Sequence, residues 1–139
     1  MERLRLTFLG IAGAAVVLTL VAAQRPTIFA QTTAGYWEIS GVPGAKAPTR
    51  QCLADVSVLA RFEHRTHACT QKVTSGDQSS VVIDYSCGGS GFGHSKVDLI
   101  TPRSLRIDTQ GISDRLPFNY VLQARRVGDC PSLAAAPRH

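Results

Sequence analysis

Apolar and polar residues alternate along most of the chain beyond residue 30, with the two-residue period of strands that bury one face. Between Leu53 and Ala60 the spacing changes to helical intervals, which predicts one short helix ending near Arg61. Glycine, proline and polar residues separate the alternating segments and predict short turns. The predicted strands comprise residues 35–40, 49–52, 69–74, 80–87, 94–99, 105–109 and 118–127.

The order of these elements predicts the fold class. Successive strands joined by short turns, without long helices between them, are typical of an antiparallel meander. We therefore predict a mainly β protein with a single, curled meander sheet and one short helix. That helix and the first strand, which carries Trp37, are expected to cover the apolar face of the sheet. The residues predicted to form this face are Val81, Ile83, Tyr85, Val97, Leu99, Leu105, Ile107, Phe118, Tyr120 and Leu122.

The positions of the four cysteines predict two disulfides. Cys69 and Cys87 flank two strand-like segments and a Gly-Asp turn, so a disulfide between them would close the open end of a hairpin. This pairing leaves Cys52 to join Cys130. On the loop-closure model, the shorter crosslink stabilises the fold by roughly 3 kcal/mol and the longer one by somewhat more.

Residues 1–30 have the pattern of a secretory signal peptide, which predicts an N-terminal helix that is removed on export. Arg3 and Arg5 precede an uncharged run, and small residues allow a cut after Ala23 or after Ala30. We prefer the cut after Ala30. The uncharged run also reaches the lower limit for spanning a bilayer, so the segment is alternatively a retained membrane anchor.

With 139 residues, of which 44% are hydrophobic and 18% charged, the chain has a globular composition and room for one domain. A disulfide-linked β domain is predicted over residues 31–130, followed by a flexible tail over residues 131–139. Removal of residues 1–30 leaves 12 basic and 9 acidic side chains, so the net charge falls from +5 to +3. Basic and acidic residues are interspersed, and we predict no nucleic-acid partner.

His64, His67 and His94 are weak candidates for a metal site or an active site, because three imidazoles can bind one ion. We expect these histidines to be solvated instead, since charged residues surround the first two. No Cys-x-x-Cys pair is present, and oxidised cysteines cannot act as thiolate ligands. The sequence also lacks motifs for acyl transfer or glycoside hydrolysis, so we predict a non-catalytic protein without a cofactor.

Several short motifs resemble a bacterial protein family in their order and spacing. They are Gly35-Tyr36-Trp37-Glu38, Gln51-Cys52-Leu53, the Cys69 to Cys87 interval, Phe92-Gly93-His94-Ser95 and Val127-Gly128-Asp129-Cys130. Together they resemble the exported family called domain of unknown function 3617, over about residues 35–130. The resemblance implies a small, β-rich envelope protein of Gram-negative bacteria, with no assigned activity and no catalytic residues. It also implies an acidic residue between the glycine and the serine, where this chain has His94.

These observations predict a periplasmic or secreted β domain that binds a protein, a lipid or another envelope component. One alternative is a metal-binding protein or an enzyme built on His64, His67 and His94. The other is a membrane-tethered accessory subunit, anchored in the inner membrane with its domain facing the periplasm. A membrane is expected as a partner only if the leader is retained.

Overall fold

The computed structural model describes residues 27–131, which form a seven-stranded antiparallel sheet and three short helices. The strands are β1 (Gly35–Ser40), β2 (Thr49–Leu53), β3 (Thr70–Gly76), β4 (Ser80–Ser86), β5 (Gly91–Thr101), β6 (Ser104–Ser113) and β7 (Leu116–Gly128). The helices are α1 (Thr27–Ala30) and two 3₁₀ helices, Val56–His64 and Gly88–Ser90. The predicted leader helix, the cut after Ala23 and the tail beyond Pro131 lie outside the described residues.

The strand order is β2-β1-β7-β6-β5-β4-β3, so the sheet is an open meander with β2 and β3 at its edges. This confirms the predicted fold class. The prediction that the first strand covers the sheet is wrong, because β1 is a member of the sheet and pairs with β7. Trp37 and Ile39 share the inward face of β1, and Ile39 lies opposite Ala124. The two-residue alternation of β1 therefore reflects a position within the sheet.

One face of the sheet carries the core, as the alternation predicts. The residues buried on this face are Trp37, Ile39, Val81, Ile83, Tyr85, Val97, Leu105, Ile107, Leu122 and Ala124. Leu99 and Tyr120 are partly buried and pack against the same cluster. The opposite face carries ion pairs, among them Lys96–Asp98 and Arg106–Asp108.

The Val56–His64 helix packs against β5 and β6 and covers part of this core. It begins later than predicted because Leu53 still belongs to β2 and Asp55 caps the helix, accepting a hydrogen bond from the Ser57 amide at 3.0 Å. It also continues to His64, past a kink at Arg61. The helix therefore ends three residues beyond the end predicted near Arg61.

The helix α1 covers the core beside it, although the predicted domain boundary would exclude it. Ile28 is fully buried and Phe29 is 4% exposed, and both belong to the hydrophobic core. Since these side chains pack inside the domain, the folded unit includes residues before position 31.

Both predicted disulfides are present, and each crosslinks one edge strand of the sheet to a neighbouring segment. Cys69–Cys87 closes the hairpin of β3 and β4, and Cys52–Cys130 joins β2 to the segment after β7. Disulfides persist in oxidising compartments, so the pair indicates a location outside the cytoplasm. Within residues 27–131, no helix has the length and apolar character required to cross a membrane.

Candidate functional site

An open cleft of about 560 Å³ lies where β5 begins, β6 ends and β7 begins. Ten residues line it: Asp84, Tyr85, Phe92, Gly93, His94, Gln110, Gly111, Ile112, Pro117 and Phe118. Along each strand, the side chains between two core positions point to the outward face of the sheet. Most residues lining the cleft occupy such positions and are exposed or half-buried, so the cleft lies on the outward face.

One side of the cleft is an apolar row formed across three strands. Phe92 lies opposite Ile112, and Ile112 lies opposite Pro117. Phe92 is 56% exposed, an unusual environment for a phenylalanine side chain. Sequence patterns do not indicate this row, because it depends on the register of three strands and its members are far apart in the chain.

The other side of the cleft is a polar row. Asp84 lies opposite His94 on β5, and His94 lies opposite Gln110 on β6. The Nδ1 atom of His94 is 2.6 Å from a carboxylate oxygen of Asp84, and both side chains are half-exposed. The carboxylate orients the ring, so Nε2 points away from Asp84. A carboxylate-oriented imidazole can bind a ligand or act as a general base.

The floor of the cleft is backbone, because Gly93 and Gly111 lie opposite one another on β5 and β6. A Cβ atom at Gly93 would overlap the Tyr85 ring, and one at Gly111 would overlap the Phe92 carbonyl oxygen and crowd the Phe118 ring. The two rings therefore fill the space beneath the glycines. They support the cleft from the core side of the sheet.

His64 lies beneath this floor, which corrects the prediction that it is solvated. It is 1% exposed, and its Nε2 is 3.0 Å from the Ser90 carbonyl oxygen. Since a carbonyl only accepts, Nε2 donates this hydrogen bond. The Tyr85 hydroxyl lies 3.4 Å from Nδ1 and donates to it when the imidazole is neutral. The packing of the Val56–His64 helix against the sheet explains why His64 is buried despite its charged neighbours in sequence.

Further polar pairs lie on the same side of the sheet. The Ser95 hydroxyl donates to Thr109 at 2.7 Å, and the Tyr120 hydroxyl donates to Glu63 at 2.8 Å. Burial raises the pKa of Tyr85. Burial, followed by the hydrogen bond to the Glu63 carboxylate, raises the pKa of Tyr120 well above its ordinary range. Both phenols therefore remain protonated at neutral pH and act as donors.

The three histidines considered for a metal site do not converge on one point. His64 is buried beneath the sheet, His67 is exposed with its ring centre 6.0 Å from that of His64, and His94 lies on the outward face with Asp84. Among residues 27–131, no group of three histidine, cysteine, aspartate or glutamate side chains is placed to hold a metal ion. The four cysteines are all in disulfides.

Comparison of the chain with protein-family models, with curated proteins and with solved structures finds no match. The fold and the site therefore define the class: a disulfide-linked, mainly β domain with an open, partly apolar cleft on its outward face.

Proposed function

We propose that this chain is an exported, non-catalytic domain of the bacterial envelope that binds a small uncharged amphiphile in the cleft. The observation that carries the proposal is the exposed row of Phe92, Ile112 and Pro117 beside the polar row of His94 and Gln110. An apolar body would lie on the first row, and hydrogen-bonding groups would meet the second.

The size and composition of the cleft support a small ligand. A volume of about 560 Å³ is within the range of sites for small molecules, which combine apolar walls with a few polar groups. Protein interfaces of standard size need about 20–30 residues on each side. Here the apolar row is bounded on the same face by the charged side chains of Lys96 and Asp108, so the apolar surface is too small for such an interface.

The charges of the cleft favour an uncharged head group. Asp84 is the sole carboxylate among the lining residues, which include neither lysine nor arginine. An anionic head group would be repelled by Asp84 and would find no lysine or arginine to pair with. A cationic head group would compete with His94, which already contacts the carboxylate.

Three features support the envelope location. The two disulfides indicate an oxidising compartment. Residues 1–30 have the pattern of an export signal. The resemblance to domain of unknown function 3617 implies a periplasmic or secreted protein of Gram-negative bacteria.

An enzyme acting through His94 is the alternative favoured by one observation, the orientation of its ring by Asp84. The residues lining the cleft include no serine, threonine, cysteine or lysine nucleophile, so an enzyme that uses His94 as a general base would have to activate water. Binding of the ligand without its conversion distinguishes the two functions.

The test is a fluorescence titration of the purified protein with N-phenyl-1-naphthylamine, an uncharged apolar probe, followed by displacement with monolaurin. We expect Phe92→Ala to weaken probe binding about tenfold, the effect of losing about 1.4 kcal/mol. Ile100→Ala is the matched control, because Ile100 is 60% exposed on the same strand but lies outside the cleft. Equal affinities for the wild type and Phe92→Ala would refute the proposal. Recovery of monolaurin hydrolysis products would favour the enzyme.

A further inference from the structure

The helix α1 contributes two side chains to the interior of the domain. Ile28 is completely buried and Phe29 is 4% exposed, and both belong to the cluster that contains Trp37 and Leu59. Ala30, the last residue of α1, is exposed. In α1, Ile28 and Phe29 therefore face the core, and Ala30 faces the solvent.

The residues after α1 hold it against the sheet. The Thr32 hydroxyl donates to the Phe29 carbonyl at 2.8 Å, and the Trp37 ring nitrogen donates to the Thr33 carbonyl at 3.2 Å. The Gln31 side chain donates to the Gln78 carbonyl, in the turn between β3 and β4, at 2.7 Å. Contacts on both the first strand and the distant hairpin fix the path of the segment.

We propose that the leader is cut between Ala23 and Gln24, so that the mature protein begins at Gln24 and retains Ile28 and Phe29 as core residues. This inference rests on the proposed export of the chain. A signal peptidase hydrolyses the peptide bond, and water supplies the hydroxyl group of the new Ala23 carboxyl and a proton of the new Gln24 amine. Both sequence motifs satisfy the peptidase's need for a small residue, but one of them would remove part of the core.

The physical reason is the cavity that the other cut would leave. A mature protein that begins at Gln31 lacks Ile28 and Phe29, so the core cluster that contains Trp37 would lose two buried side chains. Large losses of buried side-chain volume destabilise a core because the surroundings relax only partly. Such a loss is severe for a domain of this size, whose single core is small.

The test is expression of the full chain with its own leader in a Gram-negative host, followed by intact-mass analysis and thermal unfolding of the exported product. We expect a first residue of Gln24. Ile28→Ala should then change the mass of the product by the isoleucine-to-alanine difference and lower its Tm by roughly 8–20 °C. Ala30→Leu is the control, because Ala30 is exposed and its replacement should leave both the cut and the Tm nearly unchanged.

Each other outcome overturns the inference in a distinguishable way. If the product begins at Gln31, Ile28→Ala yields a mature protein identical to the wild type, and the assignment of the cut fails while export stands. An intact chain of 139 residues in the membrane fraction would mean that the leader is an anchor. Ala23→Leu, which removes the small residue before the proposed cut, should abolish the Gln24 product, and its unchanged appearance would also refute the assignment.

Discussion

The Tyr85 ring lies beneath Gly93 of the neighbouring strand, on the core side of the sheet, and fills the space that any other side chain at position 93 would need. The same ring carries the hydroxyl group that contacts His64 at 3.4 Å. Because position 93 is a glycine, the Tyr85 ring can pack against the floor of the cleft while its hydroxyl group contacts the buried His64. The glycine is required by this close approach.

Gly93→Ala is therefore expected to destabilise the domain by about 1–3 kcal/mol, because the new methyl group would displace the Tyr85 ring. Urea unfolding of both proteins would measure the difference. Gly89→Ala is the matched control, since a Cβ atom at Gly89 meets no atom within 4 Å. Similar losses for the two variants would mean that the Tyr85 contact does not explain the glycine.

The sequence predicted the sheet well because most of its strands bury one face and alternate with a period of two, although β3 is exposed along its whole length. Val81, Ile83 and Val97 face the core as expected. It did not predict the roles of Ile28 and Phe29, because two apolar residues at the end of an apolar leader carry no separate signal. Local patterns indicate which face of a helix or strand is buried. They do not distinguish the end of a cleaved leader from a segment that packs into the core of the domain.

The cleft was beyond prediction for a different reason. Phe92, Ile112 and Pro117 come together through the register of three strands, which local periodicity does not define. His64 was misassigned because neighbouring charged residues indicated solvent exposure, whereas the packing of its helix against the sheet buries it. Both errors concern tertiary contacts, which are the part of the structure that builds the candidate site.

The two disulfides are expected to contribute unequally to stability. Cys52 and Cys130 are separated by 78 residues and Cys69 and Cys87 by 18. On the loop-closure model the longer loop is worth about 4.5 kcal/mol and the shorter about 3 kcal/mol. We therefore expect the Cys52→Ser, Cys130→Ser pair of substitutions to lower the free energy of unfolding more than Cys69→Ser with Cys87→Ser. Chemical unfolding without reductant checks the order, and the reverse order would show that loop entropy does not dominate.

Tyr120→Phe is expected to lower the free energy of unfolding by about 1 kcal/mol at neutral pH, because the Glu63 carboxylate loses its hydrogen bond at 2.8 Å. Thermal unfolding measures the loss. Tyr36→Phe is the matched control, since Tyr36 lies on the outward face of β1 and should change stability less. An equal effect of the two substitutions would argue against a structural role for the Tyr120–Glu63 contact.

The same tyrosine predicts a pH dependence on the alkaline side. Its pKa is raised above the ordinary value of 10 by burial and by the Glu63 carboxylate, so the folded state favours the protonated phenol. The stabilisation is fully present below about pH 10 and is lost as the pH rises above that value. Between pH 10 and pH 12, the free energy of unfolding should therefore fall less steeply for Tyr120→Phe than for the wild type. If the free energies of unfolding of the two proteins fell in parallel above pH 10, the raised pKa of Tyr120 would not explain the alkaline loss of stability.

Glu38 predicts a pH dependence on the acidic side. Hydrogen bonds from Arg50 and Arg125, each at 3.0 Å, lower the pKa of this carboxyl below its ordinary value of 4.5. A lowered pKa stabilises the fold above pH 4.5, and the contribution is lost as the pH falls through the folded-state pKa. Glu38→Gln should lower the Tm at pH 7, and the difference should shrink below pH 4.5. With Arg50→Ala and Arg125→Ala already in place, Glu38→Gln should have little effect, and an undiminished effect would exclude the arginines as its cause.

The last prediction concerns the charge preference of the cleft. If Asp84 repels anionic head groups, monolaurin should displace N-phenyl-1-naphthylamine at lower concentration than laurate, which has the same chain length. Asp84→Asn should raise the affinity for laurate about fivefold, which is the effect of removing roughly 1 kcal/mol of repulsion. The affinity for monolaurin should remain nearly unchanged. Asp98→Asn is the control, because Asp98 lies four residues beyond His94 on β5 and pairs with Lys96. Equal gains for laurate in both variants would mean that the net charge of the domain, and not the Asp84 carboxylate, sets the preference.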